Sequence, residues 1–259
     1  MMSTPLPLRV FEGEARVYRR VWRGSVVTSF LNPILYLLAM GVGLGTLVDR
    51  NAPGGLEGIS YLAFLAPGLL AATAMQTGAG EGAWKVMAGF KWRQTYQAIL
   101  ATPVSIESLV YGHLLWSAAR VLLVSVVFAT VMAAFEVTPI GPALLAVGPA
   151  LLVGVATVAP VTAYTARLER DTGLSNLFRF GIVPMFLFSG TFFPISQLPG
   201  FLQPVANAVP LYHAVALDRW IVLGITPRVA PAVSVLYLVA WIVGGSALAV
   251  VAFRRRLVR

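Results

Sequence analysis

The sequence lacks several residue types on which common protein chemistries depend. It has no cysteine, only two histidines, and charged residues at 11% of its 259 positions, where a soluble domain has about a quarter. Without cysteine there is no disulfide, thiolate metal site or cysteine nucleophile. The nucleotide-binding loop GxxxxGKS/T is also missing, which excludes ATP binding through such a loop. We therefore predict no catalytic site, no metal site and no cofactor in this chain.

The distribution of charge excludes two further interpretations. The net charge is +9, but the arginines are not gathered on a polar domain that presents them to a duplex, so nucleic acid is not expected as a partner. The amino terminus is basic from the start and has no short apolar core followed by a small-residue cleavage site, so it does not read as a secretory signal peptide. We expect the first membrane span to stay in the mature protein.

Apolar residues are abundant and occur in long runs. They make up 58% of the chain, and several runs reach the roughly 20 residues that a helix needs to cross about 30 Å of hydrocarbon. Six candidate spans result: residues 28–48, 60–79, 111–134, 143–165, 175–193 and 232–253. The sequence therefore predicts an all-α integral membrane protein with six transmembrane helices in one domain, residues 1–259.

The basic residues orient these spans, because cytoplasmic segments carry the excess of Lys and Arg. Fifteen of the nineteen fall in one alternating set of segments that includes both ends of the chain, and only Arg50, Arg219 and Arg228 fall in the other set. Both termini are therefore predicted in the cytoplasm of a bacterium, below its plasma membrane. His113 and His213 then lie on opposite sides of the membrane and cannot share a site.

The nineteenth basic residue, Arg120, falls inside the third span. Either it faces the interior of the helix bundle, with a partner or a water-filled cavity, or its side chain extends to the inner membrane surface. The carboxylates all fall in or near loops on this reading of the sequence. That argues against an ion-coupled carrier, which usually needs an ionisable group near mid-membrane.

The first 27 residues combine apolar and basic side chains. Phe11, Tyr18 and Trp22 are interleaved with five arginines. This alternation predicts an amphipathic helix along the inner membrane surface, with the arginines at anionic headgroups. A disordered basic tail is the alternative, which the aromatic residues disfavour.

The segment at residues 80–110 is the longest on the cytoplasmic side. It mixes four aromatic residues with Lys85, Lys91 and Arg93, and Pro103 marks a break before the next helix. Aromatic residues and Arg supply much of the energy of protein interfaces, so a short exposed helix here suits docking on another protein. An interfacial helix without a partner is the alternative.

The stretch between the fifth and sixth spans is apolar yet rich in proline. FSGTFFPISQLPGFLQPVANAVPLYHA contains Pro194, Pro199, Pro204 and Pro210. Each proline removes a helical hydrogen bond, so this stretch is not a continuous span. Broken helices that enter the outer leaflet explain both features better than a surface loop. We predict an external re-entrant helix pair within residues 194–231.

Two glycine patterns predict close contacts between helices. GVGLG begins at Gly41 and GAGEG begins at Gly78, and each contains GxxxG. Glycines at this spacing let two helix backbones approach each other. The patterns do not by themselves indicate a dimer.

Three stretches carry a resemblance to a known class. SGTFFPISQLP and LQPVANAVPLYHAV lie within residues 189–215, KWRQTYQAILATPVSIESLVYG covers residues 91–112, and LAPGLLAATAMQ covers residues 65–76. They resemble the type-2 ABC exporter permeases, which include nodulation-factor lipo-oligosaccharide and daunorubicin-type export permeases. The resemblance extends over essentially the whole chain and is more specific for the class than for a substrate.

This resemblance implies the transmembrane subunit of an ATP-driven exporter. The substrate would be amphipathic or lipophilic, such as a glycolipid, a lipid-linked saccharide or a hydrophobic drug. The implied partners are two copies of a separately encoded ABC ATPase that binds Mg-ATP, a second permease subunit in a homodimer or heterodimer, and membrane lipids. Residues 1–27 would form the elbow helix, and residues 80–110 the coupling segment with its cytoplasmic coupling helix.

Site residues follow from these segments. We assign coupling to the ATPase to Lys91, Trp92, Arg93, Tyr96 and Pro103. We assign the substrate pathway or its exit to Arg120, Phe188, Phe192, Phe193, Pro194, Pro210 and His213. A stand-alone carrier or channel and a membrane scaffold without transport are the alternative functions, whereas a lipid-modifying enzyme lacks a plausible cluster of catalytic groups.

Overall fold

The computed structural model describes residues 6–51 and 58–258, and the elements in these ranges are helices. We number them along the chain: α1 covers residues 6–51, α2 Tyr61–Trp92, α3 Thr95–Leu100, α4 Ile106–Ala134, α5 Ile140–Thr165, α6 Thr172–Phe188, α7 Gln203–Asn207, α8 Pro210–Leu223 and α9 Pro231–Leu257. A 3₁₀ turn, Ile195–Gln197, precedes α7. The long helices contain π-helical stretches at Leu37–Leu44, Glu81–Lys85, Ala88–Trp92 and Phe178–Ile182.

α1 is a single uninterrupted helix, whereas the sequence predicted an elbow over residues 1–27 and a separate span. There is no break at residues 27 and 28. The first turns pack along α4, where the ring of Phe11 lies 5.5 Å from that of Trp116. The boundary was missed because arginine is a good helix former and does not stop a helix. An elbow along the membrane surface stays a prediction, and residues 1–5 lie outside the described residues.

α2 lies at the centre of the fold and packs against α4, α5 and α8. It begins after Ser60, whose hydroxyl accepts a hydrogen bond from the Ala63 amide at 3.3 Å. Leu65, Leu70 and Met75 are fully buried on different faces of the helix. A helix that is apolar all round is expected where other helices surround it.

Glycines let α2 approach its neighbours closely. A Cβ atom added to Gly78 would overlap with the backbone carbonyl of Gly154 on α5. One added to Gly41 on α1 would overlap with the side chain of Leu62 on α2. The close packing predicted from the two glycine patterns is confirmed, and the contacts join helices of the same chain.

Within the residues that the structure describes, five helical segments are long and apolar enough to cross a membrane. They are Ser29–Arg50 within α1, together with α2, α4, α5 and α9. The remaining predicted span, residues 175–193, corresponds to α6, which is shorter and ends at Phe188. Gly190, with a φ of 83°, lies in the turn that follows. A crossing by α6 stays a prediction, because its length is near the lower limit for a span.

The bundle has two distinct ends. The first, which we term the basic end, contains Trp92 and the ion pair between Glu107 on α4 and Arg254 on α9. The other, which we term the opposite end, contains the start of α2 and the segment from Phe188 to Pro231. In that segment α8 is buried against α2, α5 and α9.

Two of the four prolines stand in the first turns of short helices. Pro204 lies in the first turn of α7, and Pro210 opens α8. A proline is tolerated there because the amide hydrogen that it lacks has no partner within the helix. The stretch is therefore a series of short helices, and its position in the outer leaflet stays a prediction.

Candidate coupling surface and transport pathway

A short turn at the basic end joins α2 to α4, and we term residues 91–103 the coupling turn. Gln94 has a left-handed backbone conformation with a φ of 51°. The chain therefore turns at Gln94 between the end of α2 and the start of α3. After Pro103, the Ser105 hydroxyl accepts a hydrogen bond from the Ser108 amide at 3.2 Å and caps α4. The predicted break before the next helix is confirmed. Residues 80–92 continue α2, so the exposed part is shorter than the predicted segment.

Polar and aromatic contacts attach the coupling turn to α6. Lys91 Nζ lies 3.0 Å from a carboxylate oxygen of Asp171, and the indole N–H of Trp92 donates to the other oxygen at 3.3 Å. The ring of Trp92 stacks with Trp84 at 6.4 Å, and Trp84 stacks with Phe178 at 5.9 Å. Trp92 is still 51% exposed, so part of its ring is available to a partner.

Tyr96 faces inward, in contrast to its predicted role as a contact for a partner. Its side chain is only 5% exposed and packs 4.8 Å from the ring of Phe90 and 5.4 Å from that of Phe253. Burial raises the pKa of the Tyr96 phenol, and the charge of Glu14 adds to this effect. Tyr96 therefore anchors α3 to the core. The exposed side chains of the turn include Lys91, Trp92, Arg93, Gln97 and Pro103.

Arg120 lies inside the bundle where α1, α2 and α4 meet. Its Nε is 3.6 Å from Oε1 of Glu81, and its Nη1 donates to the Tyr18 hydroxyl at 2.7 Å. Lys85 lies 3.1 Å from Glu81 and 3.1 Å from Glu14. The Arg120 side chain is 14% exposed. Of the two alternatives, the structure has the arginine in the bundle interior with a partner.

Two carboxylates that the sequence reading assigned to loops lie within helices and have little exposure to solvent. Glu81 lies within α2, beside Arg120 and Lys85. Asp218 lies within α8, is fully buried, and accepts no hydrogen bond from the described residues. The prediction that every acid falls in or near a loop was therefore wrong. Glycines around Glu81 suggested a break, although Gly82 instead allows close packing against the backbone of α5.

The residues assigned to the pathway lie at the opposite end, except for Arg120. Phe188 is exposed, and Phe192 packs edge-on against Phe186 at 5.0 Å. In α8, Nδ1 of His213 lies 3.0 Å from the Ser234 hydroxyl. Phe193, Pro194 and Pro210 lie in the same region, at the turn after α6 and the start of α8. The structure does not bring this group together with Arg120, and its role in transport stays a prediction.

An apolar groove adjoins this region. It has a volume of about 270 Å³ and lies between α5, α6, α8 and α9. Its walls include Val161, Leu177, Met185, Pro210 and Trp241. A groove with such walls fits an acyl chain or a hydrophobic ring system.

The sequence of this chain matches the model of a known protein family. A family model described as ABC-2 type transporter matches residues 10–223, which extend from α1 to the end of α8. The chain belongs to this family. This ABC-2 type chain is therefore a membrane transport permease, and the family implies an ABC ATPase as its partner. The matched range includes both the coupling turn and the proline-rich stretch.

Relatives of this ABC-2 type chain are similar over most of their length. Nodulation protein J of Rhizobium meliloti (strain 1021) is 32% identical over 207 residues, which cover 80% of this chain and 77% of the relative. Nodulation protein J of Rhizobium leguminosarum bv. trifolii is 31% identical over 250 residues, with 94% and 93% covered. The inner membrane transport permease YadH of Escherichia coli (strain K12) is 24% identical over 220 residues, with 83% and 82% covered. The resemblance to type-2 ABC export permeases is confirmed.

Proposed function

We propose that this chain is the transmembrane subunit of an ATP-driven exporter in a bacterial inner membrane. It moves an amphipathic or lipophilic substrate outward from the cytoplasm or the inner leaflet. Family membership and the named inner membrane relative support this proposal. The observation that carries it is the coupling turn, where exposed Trp92 and Arg93 project from the basic end on a turn that is anchored to the core.

The contacts that anchor the coupling turn would allow a movement of the ATPase to be transmitted to the helices of the permease. Tyr96 packs on Phe90 of α2 and Phe253 of α9, while Lys91 pairs with Asp171 at the start of α6. An ATPase that pushes on the turn therefore acts on three helices of the permease. ATP binding drives export only if the closed ATPase pair has different affinities for the two permease conformations.

The proposed assembly contains two permease subunits and two ATPase subunits, with Mg-ATP bound in the ATPases. The basic end faces the cytoplasm, as the excess of arginine there supports, and α6 is the fifth of six spans. α1 and α9 carry exposed apolar side chains, among them Leu35 and Val243, that contact lipid or the second permease. The short helices α7 and α8 form the external re-entrant pair.

The substrate has an extended apolar part in this proposal. The groove of about 270 Å³ beside Pro210 has apolar walls and adjoins the exposed Phe188 region. A glycolipid, a lipid-linked saccharide and a hydrophobic drug each present an apolar moiety of this kind. Phe192, Phe193, Pro194 and His213 would lie along the exit, and release would proceed into or through the outer leaflet.

The test is to co-express this chain with its ATPase, purify through a tag on the permease, and measure vanadate-sensitive ATP hydrolysis in lipid. Trp92→Glu is expected to lower both ATPase recovery and hydrolysis at least tenfold, since it places a charge in the docking surface. Trp92→Phe, which keeps an aromatic ring, is the matched control and is expected to retain most activity.

Thermal unfolding of each permease variant alone separates a docking defect from a folding defect. A Trp92→Glu variant that folds normally and recovers the ATPase at the wild-type level would contradict the docking assignment. A wild-type chain that purifies without any nucleotide-dependent partner would favour a stand-alone carrier or a scaffold.

A further inference from the structure

A second cavity lies at the opposite end of the bundle and differs from the apolar groove. It has a volume of about 140 Å³ and lies between the first turn of α2, the turn after α6, and α8 with the loop that follows it. Phe64, Ile195 and Val215 form apolar parts of its wall. Ser196, Tyr212 and Thr226 contribute hydroxyl groups.

Two arginines line this cavity. Arg219 belongs to α8 and Arg228 to the loop after it. The segments assigned to the external side contain only one other basic residue, Arg50. None of the residues that line the cavity within the described chain is acidic. The fold thus concentrates positive charge in one small cavity on a side of the protein that has little of it.

Backbone contacts hold Arg219 at the cavity wall. Its Nε donates to the carbonyl of Phe64 at 3.2 Å, and its Nη2 donates to the carbonyl of Thr191 at 3.1 Å. The guanidinium also lies 3.6 Å from the centre of the Phe64 ring. These carbonyl groups and this ring fix the position of the guanidinium and carry no net charge themselves.

Arg228 adds a second basic side chain to the cavity wall. Asp218, which precedes Arg219 in α8, is fully buried and does not line the cavity. Arg228 is exposed, and the described residues that line the cavity include no acid beside it. Guanidinium groups at fixed positions bind phosphate and carboxylate oxygens through charge-assisted hydrogen bonds.

We propose that this cavity binds the anionic headgroup, a phosphate or a carboxylate, of an amphiphile in the outer leaflet. Arg228 and Arg219 contact the anion, and the apolar wall accommodates the adjoining part of the molecule. The outward orientation rests on the proposed function, whereas the binding of an anion by this cavity does not. The occupant is a membrane lipid or the exported molecule, and both share this chemistry.

The absence of cysteine allows a probe to be placed at this site alone. A Ser196→Cys variant carries one environment-sensitive fluorophore at the exposed rim of the cavity, in nanodiscs of phosphatidylcholine. Short-chain phosphatidylglycerol, short-chain phosphatidylcholine and inorganic phosphate are titrated separately. Arg228→Gln is tested in this background, and Arg50→Gln is the matched control because it removes an arginine that does not line the cavity.

We expect phosphatidylglycerol to change the fluorescence at a concentration about tenfold lower than phosphatidylcholine does. Arg228→Gln should remove this preference, and Arg50→Gln should leave it intact. If inorganic phosphate competes at a concentration similar to that of phosphatidylglycerol, the cavity recognises the anion itself. If inorganic phosphate competes only weakly, the cavity recognises the whole headgroup with the adjoining part of the lipid. Either of these results supports the proposal.

Equal responses to the two lipids would overturn the proposal, as would equal effects of Arg228→Gln and Arg50→Gln. Arg219→Lys, which retains the charge, provides a second variant if Arg228→Gln does not fold. These titrations need no ATPase. A chain that binds the anion but recruits no ATPase would therefore contradict the proposed export function and leave this inference standing.

Discussion

Arg120 lies 3.6 Å from Glu81 in the bundle interior, and this ion pair joins α4 to α2 beside α1. The pair is not symmetric. Glu81 is shared between Arg120 and Lys85, whereas Glu81 is the one carboxylate that pairs with Arg120 in the described chain. Removal of Arg120 therefore leaves Glu81 paired with Lys85, whereas removal of Glu81 leaves Arg120 without a carboxylate partner in the described chain.

Glu81→Leu is expected to destabilise the fold more than Arg120→Leu does. Without Glu81, the guanidinium of Arg120 stays buried with the Tyr18 hydroxyl as its polar partner, at a cost of about 3 kcal/mol. Without Arg120, Glu81 still pairs with Lys85, so we expect less than half of that cost. Unfolding in detergent measures both variants, and the double variant should recover part of the loss.

Export should still fall in Arg120→Leu while membrane insertion stays normal, because the link between three helices is broken. Insertion is followed by the yield of folded protein in the membrane fraction. A variant that exports normally would remove Arg120 from the mechanism. A larger loss of stability in Arg120→Leu than in Glu81→Leu would show that Tyr18, and not Glu81, is the main partner.

The sequence alone could not predict that Glu81 lies within a helix of the bundle. A charge next to glycines suggests the end of an apolar helix when a segment is considered alone. In the bundle, opposite charges from α4 and α2 neutralise each other, so the helix continues through Glu81 to Trp92. The burial of Tyr96 was hidden in the same way, because it depends on Phe253 near the other end of the chain.

Gly78→Ala is expected to destabilise the protein, because the added methyl group meets a backbone carbonyl of Gly154 and cannot rotate away from it. Overpacking of this kind costs about 1–3 kcal/mol. Gly80→Ala is the matched control, since a Cβ atom there has no neighbour within 4 Å. We expect Gly80→Ala to be neutral or slightly stabilising through its better helix propensity. Thermal unfolding in detergent distinguishes the two, and equal midpoints would mean that α2 and α5 separate easily.

Prolines and helix-capping residues, in contrast, correctly predicted where helices begin, because they act on the local backbone. Ser105 caps α4 after the break that Pro103 indicated, and Pro210 opens α8. Proline and capping residues act through their own backbone, so neighbouring helices do not change their effect. The continuity of α1 was missed because the predicted boundary rested on the basic residues, whereas arginine is a good helix former and does not end a helix.

Tyr96→Phe is expected to change the stability of the protein at alkaline pH only. Burial raises the pKa of the folded phenol above the ordinary value of 10.0. Below about pH 10 the phenol is neutral in both states and contributes no pH dependence. Above that value the unfolded state loses a proton that the folded state retains, so the free energy of unfolding falls as pH rises.

The phenylalanine variant keeps the ring contacts with Phe90 and Phe253 and lacks this titration. Denaturant unfolding of both proteins at pH 8 and pH 11 should give similar values at pH 8 and a relative advantage for the variant at pH 11. A difference that stays constant between the two pH values would mean that the Tyr96 hydroxyl reaches water.

Asp218→Asn is expected to raise the thermal stability of the protein. The Asp218 carboxyl is fully buried and accepts no hydrogen bond from the described residues, so its ionised form has a larger desolvation cost than a neutral side chain of the same shape. Asparagine keeps the shape and removes the ionisable group. Asp171→Asn is the control at an exposed ion pair, where the loss of the contact with Lys91 should cost at most about 1 kcal/mol.

Differential scanning fluorimetry in detergent compares both variants with the wild type. A fall of several degrees in Asp218→Asn would show that the carboxylate is needed to balance Arg219, and Arg228 would then be the main source of positive charge in the cavity.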